Sequence, residues 1–483
     1  MRLNFKKMKS SKFDKNKEEI CLVCRIGQRF DKHTIFPLGM ALISGALKRA
    51  GYKVKVLDLD MNPELESEIS NHRYILFSLF AGKSLSFSLK KIEELKSMGD
   101  KTIIVGGPLV LAMPQTILKE SKADYLIYGD AEDSIVKLIQ YFEGRGKLTD
   151  IKGVGYRDKD EVKINPADII SDLDTLPFPD LESFDMNKYP DFISLPSEAK
   201  RCLNWYSSRG CTFDCQFCFH QKNFRGQSAK RVFNDLKSMY DKYNIDGFWF
   251  LDDNFMNNPK RVLEFCKLVK ENDLKIKWGC EARVTSMKED IVREMKEAGC
   301  VTIRNGIESG SDRILKVMHK GATVKDIKEA VMVLTKLDMP VKGGFMFGVP
   351  TETIKDAKET VKLIKWIYKV NPKANIWTYF YTPRPDTPWY YEAVKLGMKE
   401  FTLDDWTNLD KYNSLIYNMS NITEKQILKL MRKVNFYKFM AMSRQKKYTN
   451  VPVDLTNYAF RKVDSIARSF IGNKQQVPAL EGH

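Results

Sequence analysis

The chain has 483 residues, 43% hydrophobic and 29% charged, with a formal net charge of +17. No apolar run reaches the roughly 18 residues a membrane span needs, and the basic, polar stretch 1–19 excludes a signal peptide. Lys and Arg are spread along the whole length without a basic block. The charge therefore reads as a solvated surface and not as a nucleic-acid footprint, and the expectation is a cytoplasmic protein of two or three domains.

After a basic arm (1–18), residues 20–24 read as an apolar strand. Its Cys21 and Cys24 fall on opposite strand faces, which suits core packing and not a redox pair. Phe36-Pro37-Leu38-Gly39 leads into a helix over 40–50, closed by Gly51. Strands follow at 54–58, 74–78, 102–105 and 123–128, with a helix over 86–97. Ser78, Gly106-Gly107-Pro108 and Gly129 fall at strand ends. This alternation over 19–145 predicts a doubly wound, Rossmann-like parallel sheet with its ligand at the strand carboxyl ends. No GxGxxG is present, so a dinucleotide pocket is unsupported.

Residues 146–200 read as a small hairpin (153–156 and 161–164) and a stiff linker, Leu176-Pro177-Phe178-Pro179-Asp180. Six strand–helix units between 204 and 382 then predict a partial βα barrel within residues 201–395. Residues 396–483 look mainly helical, most clearly over 423–442, as a cap on the barrel or a packing appendage. The expected class is α/β throughout, with that helical C-terminal region.

The densest chemistry lies in Arg209-Gly210-Cys211-Thr212-Phe213-Asp214-Cys215-Gln216-Phe217-Cys218, with three cysteines in eight residues. The nine cysteines of this chain suit a reducing compartment, where such a triplet reads as metal chemistry. An iron–sulfur cube wants four ligands, usually cysteine, and a triplet leaves one iron open to a small molecule. Zinc held by the three cysteines and His220 is the rival on spacing alone.

Four further stretches follow barrel strands. Asp252-Asp253-Asn254-Phe255 pairs two acids that suit a metal, an ammonium or a sugar hydroxyl. Arg283 offers a planar fork to a carboxylate. Gly306-Ile307-Glu308-Ser309-Gly310 comes next, and the glycines of 343–352, Gly348 among them, permit close backbone approach. Tyr379, Tyr381 and Arg384 could face a substrate, although aromatics at strand ends more often pack in a core.

The cysteine stretch resembles the CxxxCxΦC signature of the radical S-adenosylmethionine (SAM) superfamily, with Phe217 as the aromatic before the third cysteine. The later stretches are similar to that superfamily's SAM-contacting elements, in the expected order. The resemblance implies that Cys211, Cys215 and Cys218 ligate a 4Fe–4S cluster whose open iron chelates SAM and splits it to a 5′-deoxyadenosyl radical. It places Asp252 and Asp253 at the SAM amino group, Glu308 at the ribose and Gly348 along the adenine, with Ser309 among the cofactor-binding residues. Arg283 would take the carboxylate.

Residues 19–145 resemble the cobalamin-binding domain that precedes many radical SAM cores. The matching pieces are Pro37-Leu38-Gly39, Gly106-Gly107-Pro108 and Gly129-Asp130-Ala131-Glu132, the last in the place of GEGE. Ser78 ends a strand beside them, and the loop Leu79-Phe80-Ala81-Gly82 is expected at the lower cobalt face. His33 stands where a DxHxxG motif has its cobalt ligand, but Phe36 replaces the glycine and a surface-loop histidine is the better reading.

The implied function is a cobalamin-dependent radical SAM enzyme, class B methyltransferase-like, that methylates an unactivated carbon or phosphorus centre through methylcobalamin. A radical cyclase or rearrangement enzyme on the same cofactors is the alternative, and a non-catalytic iron–sulfur protein that binds nucleic acid is a third. Expected partners are a small-molecule, natural-product or lipid substrate and a low-potential donor such as flavodoxin or ferredoxin, in an anaerobic host.

Overall fold

A computed structural model describes residues 12–27, 29–30, 33–159, 161–189, 199–219, 221–407 and 418–444. The first sheet contains β1 (Ile20–Cys24), β2 (Val54–Asp58), β3 (Tyr74–Ser78), β4 (Thr102–Gly106), β5 (Tyr125–Ile127), β6 (Val154–Asp158) and β7 (Glu161–Ile164). Their spatial order is β2-β1-β3-β4-β5-β6-β7. The first five run parallel, and β6 and β7 join antiparallel at the edge. The predicted hairpin thus extends the sheet.

β1 is buried along its whole length, as a central parallel strand must be. Cys21 packs into the apolar layer on one face and Cys24 into the layer on the other, both as core side chains. Helices Leu38–Arg49 and Glu132–Phe142 cover one face, while Lys83–Ser97 covers the opposite one. Winding reverses between β1 and β3, which opens a crevice at the carboxyl ends of the strands.

The second sheet contains β8 (Cys202–Trp205), β9 (Gly247–Phe250), β10 (Lys277–Arg283), β11 (Cys300–Glu308), β12 (Val341–Phe347) and β13 (Asn375–Phe380). All neighbours are parallel, and spatial order equals chain order. Crossovers of one hand then place the intervening helices on one face and leave the other to enclose an interior. β8 and β13 are the two edges of this sheet, so the barrel is partial. Ser208–Arg209 leaves this sheet and pairs antiparallel with Arg225–Gly226.

The linker is docked against the first helix. The Asp180 carboxylate accepts from Ser44 and pairs with Lys48 at 2.7 Å, and its N–H donates to the Ala41 carbonyl at 2.9 Å. Gly45 makes room for this, because a Cβ there would lie 2.6 Å from the Phe178 carbonyl oxygen. Helix Glu424–Arg444 packs on the outer helix Ile354–Val370 and so is an appendage to the barrel wall, not a cap. Residues 398–407 reach back to the first unit, where the Gly82 N–H donates to the Trp406 carbonyl at 2.7 Å. Among the described residues no helix is long and apolar enough to cross a membrane.

Asn204 ties β8 to the segment leading into the first helix: its amide accepts from Phe36 N–H at 2.9 Å and donates to Phe36 C=O at 3.1 Å, all buried. Replacing it strands both backbone groups away from water. Asn204→Ala is expected to lower the unfolding free energy by about 2–5 kcal/mol, read by equilibrium denaturation.

Candidate active site

The cysteine loop hangs from the short Ser208–Arg209/Arg225–Gly226 ladder. Gly210 opens it at φ +81°, where a Cβ would meet the Asn223 and Gln221 carbonyl oxygens at 2.7 and 2.8 Å. Cys211 N–H donates to Gln221 O at 3.0 Å and Cys218 N–H to Cys215 O at 3.1 Å, so backbone bonds curl the three cysteines together. Cys218 reaches accessible space yet is surrounded by protein atoms. Burial, with Cys215 and Asp253 adding, pushes its thiol up to about 12. Burial likewise raises Cys211. Such thiols ionise only beside a strong cation, which a bound metal supplies. Among the described residues no three His, Cys, Asp or Glu side chains are closed on one point as a finished metal site. His220 and the His33 side chain lie outside the described residues.

Arg283, at the end of β10, is buried over the loop. Its guanidinium stacks on Phe213 at 3.5 Å and donates from Nη1 to Cys215 Sγ at 3.5 Å. Its Nε and Nη2 are buried without an acceptor. Two idle donors of a planar fork beside the thiols fit a carboxylate or a cluster sulfide.

Glu308 ends β11 at φ +68°, where the ladder with β12 slips. Its carboxylate is paired with Lys320 at 3.1 Å and accepts from the Tyr379 hydroxyl at 2.9 Å. Phe217 lies between Trp389, at 6.0 Å, and the Lys320 ammonium, at 5.8 Å. Gly348, at φ +80°, donates its N–H to Glu352 at 2.6 Å. Lys320 and Glu352 were not picked as site residues from the sequence.

Two predicted contacts are committed elsewhere. The Asp252 carboxylate accepts from Ser207 N–H at 2.7 Å and from the Ser207 and Ser208 hydroxyls, and it pairs with Arg261 at 3.5 Å. It therefore braces the strand leading into the loop, and Asp253 is the acid on the open side. Ser309 is fully buried, with its hydroxyl engaged by Thr360 and by Ser311 N–H. Tyr381 packs on Trp389 in the core, whereas Tyr379 and Arg384 remain accessible.

A cavity of about 420 Å³ separates the two units. Gly39, Ser78, Gly106, Gly107, Gly129 and Glu132 line it from the first sheet; Tyr206, Arg209, Gly210, Phe219 and Asp253 face them from the barrel. Gly107 is essential to its shape, because a Cβ there would lie 2.6 Å from Ser78 Oγ. Glycines together with Leu76, Met40 and Leu111 make a wall suited to a flat, largely apolar ring. Pro37, Leu38 and Leu79 instead pack in the core, and Phe80 is off the cavity lining. Glu132 is gripped by the Arg209 fork, and Asp130 by Arg209 at 2.8 Å and by Arg225. Burial works against Asp130's charge, but the two arginines outweigh it and hold the carboxyl below its ordinary value.

Comparison with known proteins decides the family. The Radical SAM superfamily model matches residues 205–364, and the B12 binding domain model matches residues 31–139. The chain is a cobalamin-dependent radical SAM enzyme. Its cofactors are a 4Fe–4S cluster, SAM and cobalamin. The enzyme is 28% identical to an uncharacterized methyltransferase of Pyrococcus horikoshii over 83% of this chain and 87% of that protein. It is 27% identical to the anaerobic magnesium-protoporphyrin IX monomethyl ester cyclase of Cereibacter sphaeroides, over 74% of this chain and only 60% of that protein. Among solved structures its fold matches OxsB with aqua-cobalamin and SAM bound, at TM-score 0.69 and 17% identity, covering 94% of this chain and 78% of that one. It also matches TsrM from Kitasatospora setae with cobalamin and 4Fe–4S cluster bound, at TM-score 0.62 and 16% identity, covering 78% and 75%.

Two outcomes are expected of this enzyme. Replacing Cys211, Cys215 and Cys218 together by Ala is expected to abolish both bound iron and 5′-deoxyadenosine formation, read by iron analysis and chromatography. Glu352 is fully buried, and burial pushes its carboxyl from 4.5 up to about 8. Between those values the folded chain keeps a proton that the unfolded chain has lost, so this group removes stability progressively as pH rises through that window. Glu352→Gln is expected to flatten this fall, a difference on the order of a few kcal/mol by pH 8, read by denaturant unfolding at pH 6 and pH 8.

Proposed function

We propose that the enzyme transfers a methyl group from SAM to an unactivated carbon or phosphorus centre of a small molecule held between the barrel mouth and the first sheet. The observation that carries this reading is the cavity shared by the two units, with the cysteine loop forming part of its wall through Gly210, Phe219 and Gln221. When bound, the cluster and SAM supply radical chemistry and the corrin supplies a methyl carrier.

The chain's own residues hold and orient these groups. Cys211, Cys215 and Cys218 would hold the cluster, and Phe217 packs beside Trp389 and Lys320. Arg283 offers its idle Nε and Nη2 to the SAM carboxylate, the buried fork fixing both distance and direction. Asp253 takes the SAM ammonium. Glu308, oriented by Lys320 and Tyr379, accepts from the ribose hydroxyls. The Gly348 turn, closed by Glu352, lies along the adenine. Gly39, Gly106, Gly107 and Gly129, which line the cavity, would let the corrin approach the backbone. The donor of electrons is a low-potential carrier of the flavodoxin or ferredoxin kind, and the setting is an anaerobic cytoplasm.

Ring closure on the same cofactors is the second reading, favoured by the likeness to the Cereibacter sphaeroides cyclase. SAM labelled in its methyl group separates the two. The label is expected in the product, and turnover to an unlabelled product would leave the cyclase reading standing alone.

A further inference from the structure

We propose that Arg209 is a positioning residue: gripped by Asp130 and Glu132, it sets the cysteine loop at a fixed distance from the corrin cavity. Arg209 and Arg225 face each other across the two-residue ladder that carries the loop. Like charges directly opposite on so short a ladder repel. The acids that compensate them come from the first unit, 77 and 95 residues away in the chain. Asp130 bridges both arginines, at 2.8 Å to Arg209 Nη1, while Glu132 takes Arg209 through both terminal nitrogens.

A two-toothed guanidinium–carboxylate pair fixes orientation as well as separation. Asp130 and Glu132 are 2% and 4% exposed and Arg209 20%, so solvent screens the grip weakly. Asp130 is itself anchored: it accepts from Ile170 N–H at 2.7 Å, and its own N–H donates to Asp168 O at 2.9 Å. Arg225 adds a bond to the Ile170 carbonyl at 2.6 Å. Gly129, Glu132, Arg209 and Gly210 all line the cavity, and a single residue separates Arg209 from Cys211. The Glu132 and Arg209 side chains and the Gly210 backbone therefore form a short path from the cavity wall to Cys211. Buried ion pairs seldom gain stability over apolar packing of equal volume, and what this one supplies is alignment between two sites that belong to different sheets.

The test is a spectroscopic distance in the anaerobically reconstituted holoenzyme, loaded with cob(II)alamin and with its cluster reduced. Both centres are then paramagnetic, and pulsed electron paramagnetic resonance reads the coupling between them. The wild-type enzyme is expected to give one narrow distance distribution. Glu132→Gln, which removes the charge, and Arg209→Lys, which keeps the charge but loses the fork, are each expected to shift or broaden it. Iron content, corrin content and thermal melting are measured alongside. An unchanged distribution in both variants would overturn the proposal. So would loss of corrin from Glu132→Gln while Arg209→Lys keeps the wild-type distribution, because Glu132 would then act only as a corrin contact. Should Glu132→Gln not fold, the distribution in Arg209→Lys decides by the same criterion.

Discussion

Strands of a parallel sheet all end on the same edge, so the loops that can bind a ligand collect there. In this chain two such edges face each other across one cavity, lined from both sides by candidate site residues. Two apolar clusters run from one unit into the other. Buried polar ties add direction to that contact: Asn204 to Phe36, Asp180 to the first helix, and Asp130 and Glu132 to the two arginines of the cysteine ladder. Each tie is directional, so together they set angle and register as well as contact.

Within that frame the electrostatics of the barrel mouth are complementary to what a radical SAM site must hold. The Cys211 and Cys218 thiols resist ionisation by themselves, and Arg283 and Lys320 supply positive charge beside the loop. Glu308 is held in place by a cation and a phenol, and Asp253 stands across the cavity from the glycine wall. The apolar layer beneath the glycines offers little that could compete with a bound ring. The protein's share of the work is therefore placement and exclusion of water, which is the division expected when cofactors carry the reaction.

Much of this was legible in the sequence because the relevant signals are local. Strand and helix periods gave both sheets. The cysteine spacing, the glycines after β4 and β5, and Glu308 after β11 were readable in the same way, because βα units put function just past strands. The failures have a common cause in long-range pairing. Asp252 and Asp253 are equivalent in sequence, and only the fold commits Asp252 to Ser207, Ser208 and Arg261. Ser309 is spent on Thr360, whose position on a later helix no spacing reveals. Arg209 looked like a preface to the cysteines, since its partners lie in another unit. Lys320 carried no motif either, and Glu352, although it ends the 343–352 stretch, shows its part only through burial beside Gly348. The C-terminal helix left two readings open, which its apolar stripe against Ile354–Val370 resolved in favour of packing on the barrel wall.

The central claim is that one loop holds a 4Fe–4S cluster with a corner left open for the sulfonium donor. The most direct measurement is electron–nuclear double resonance on the reduced, anaerobically reconstituted enzyme, with SAM isotopically labelled at its amino nitrogen and carboxylate. The account predicts hyperfine coupling from both labelled groups to the cluster, since both would bind the open iron. A cluster signal with no coupling to either group, or a loop filled by zinc after reconstitution, would contradict it.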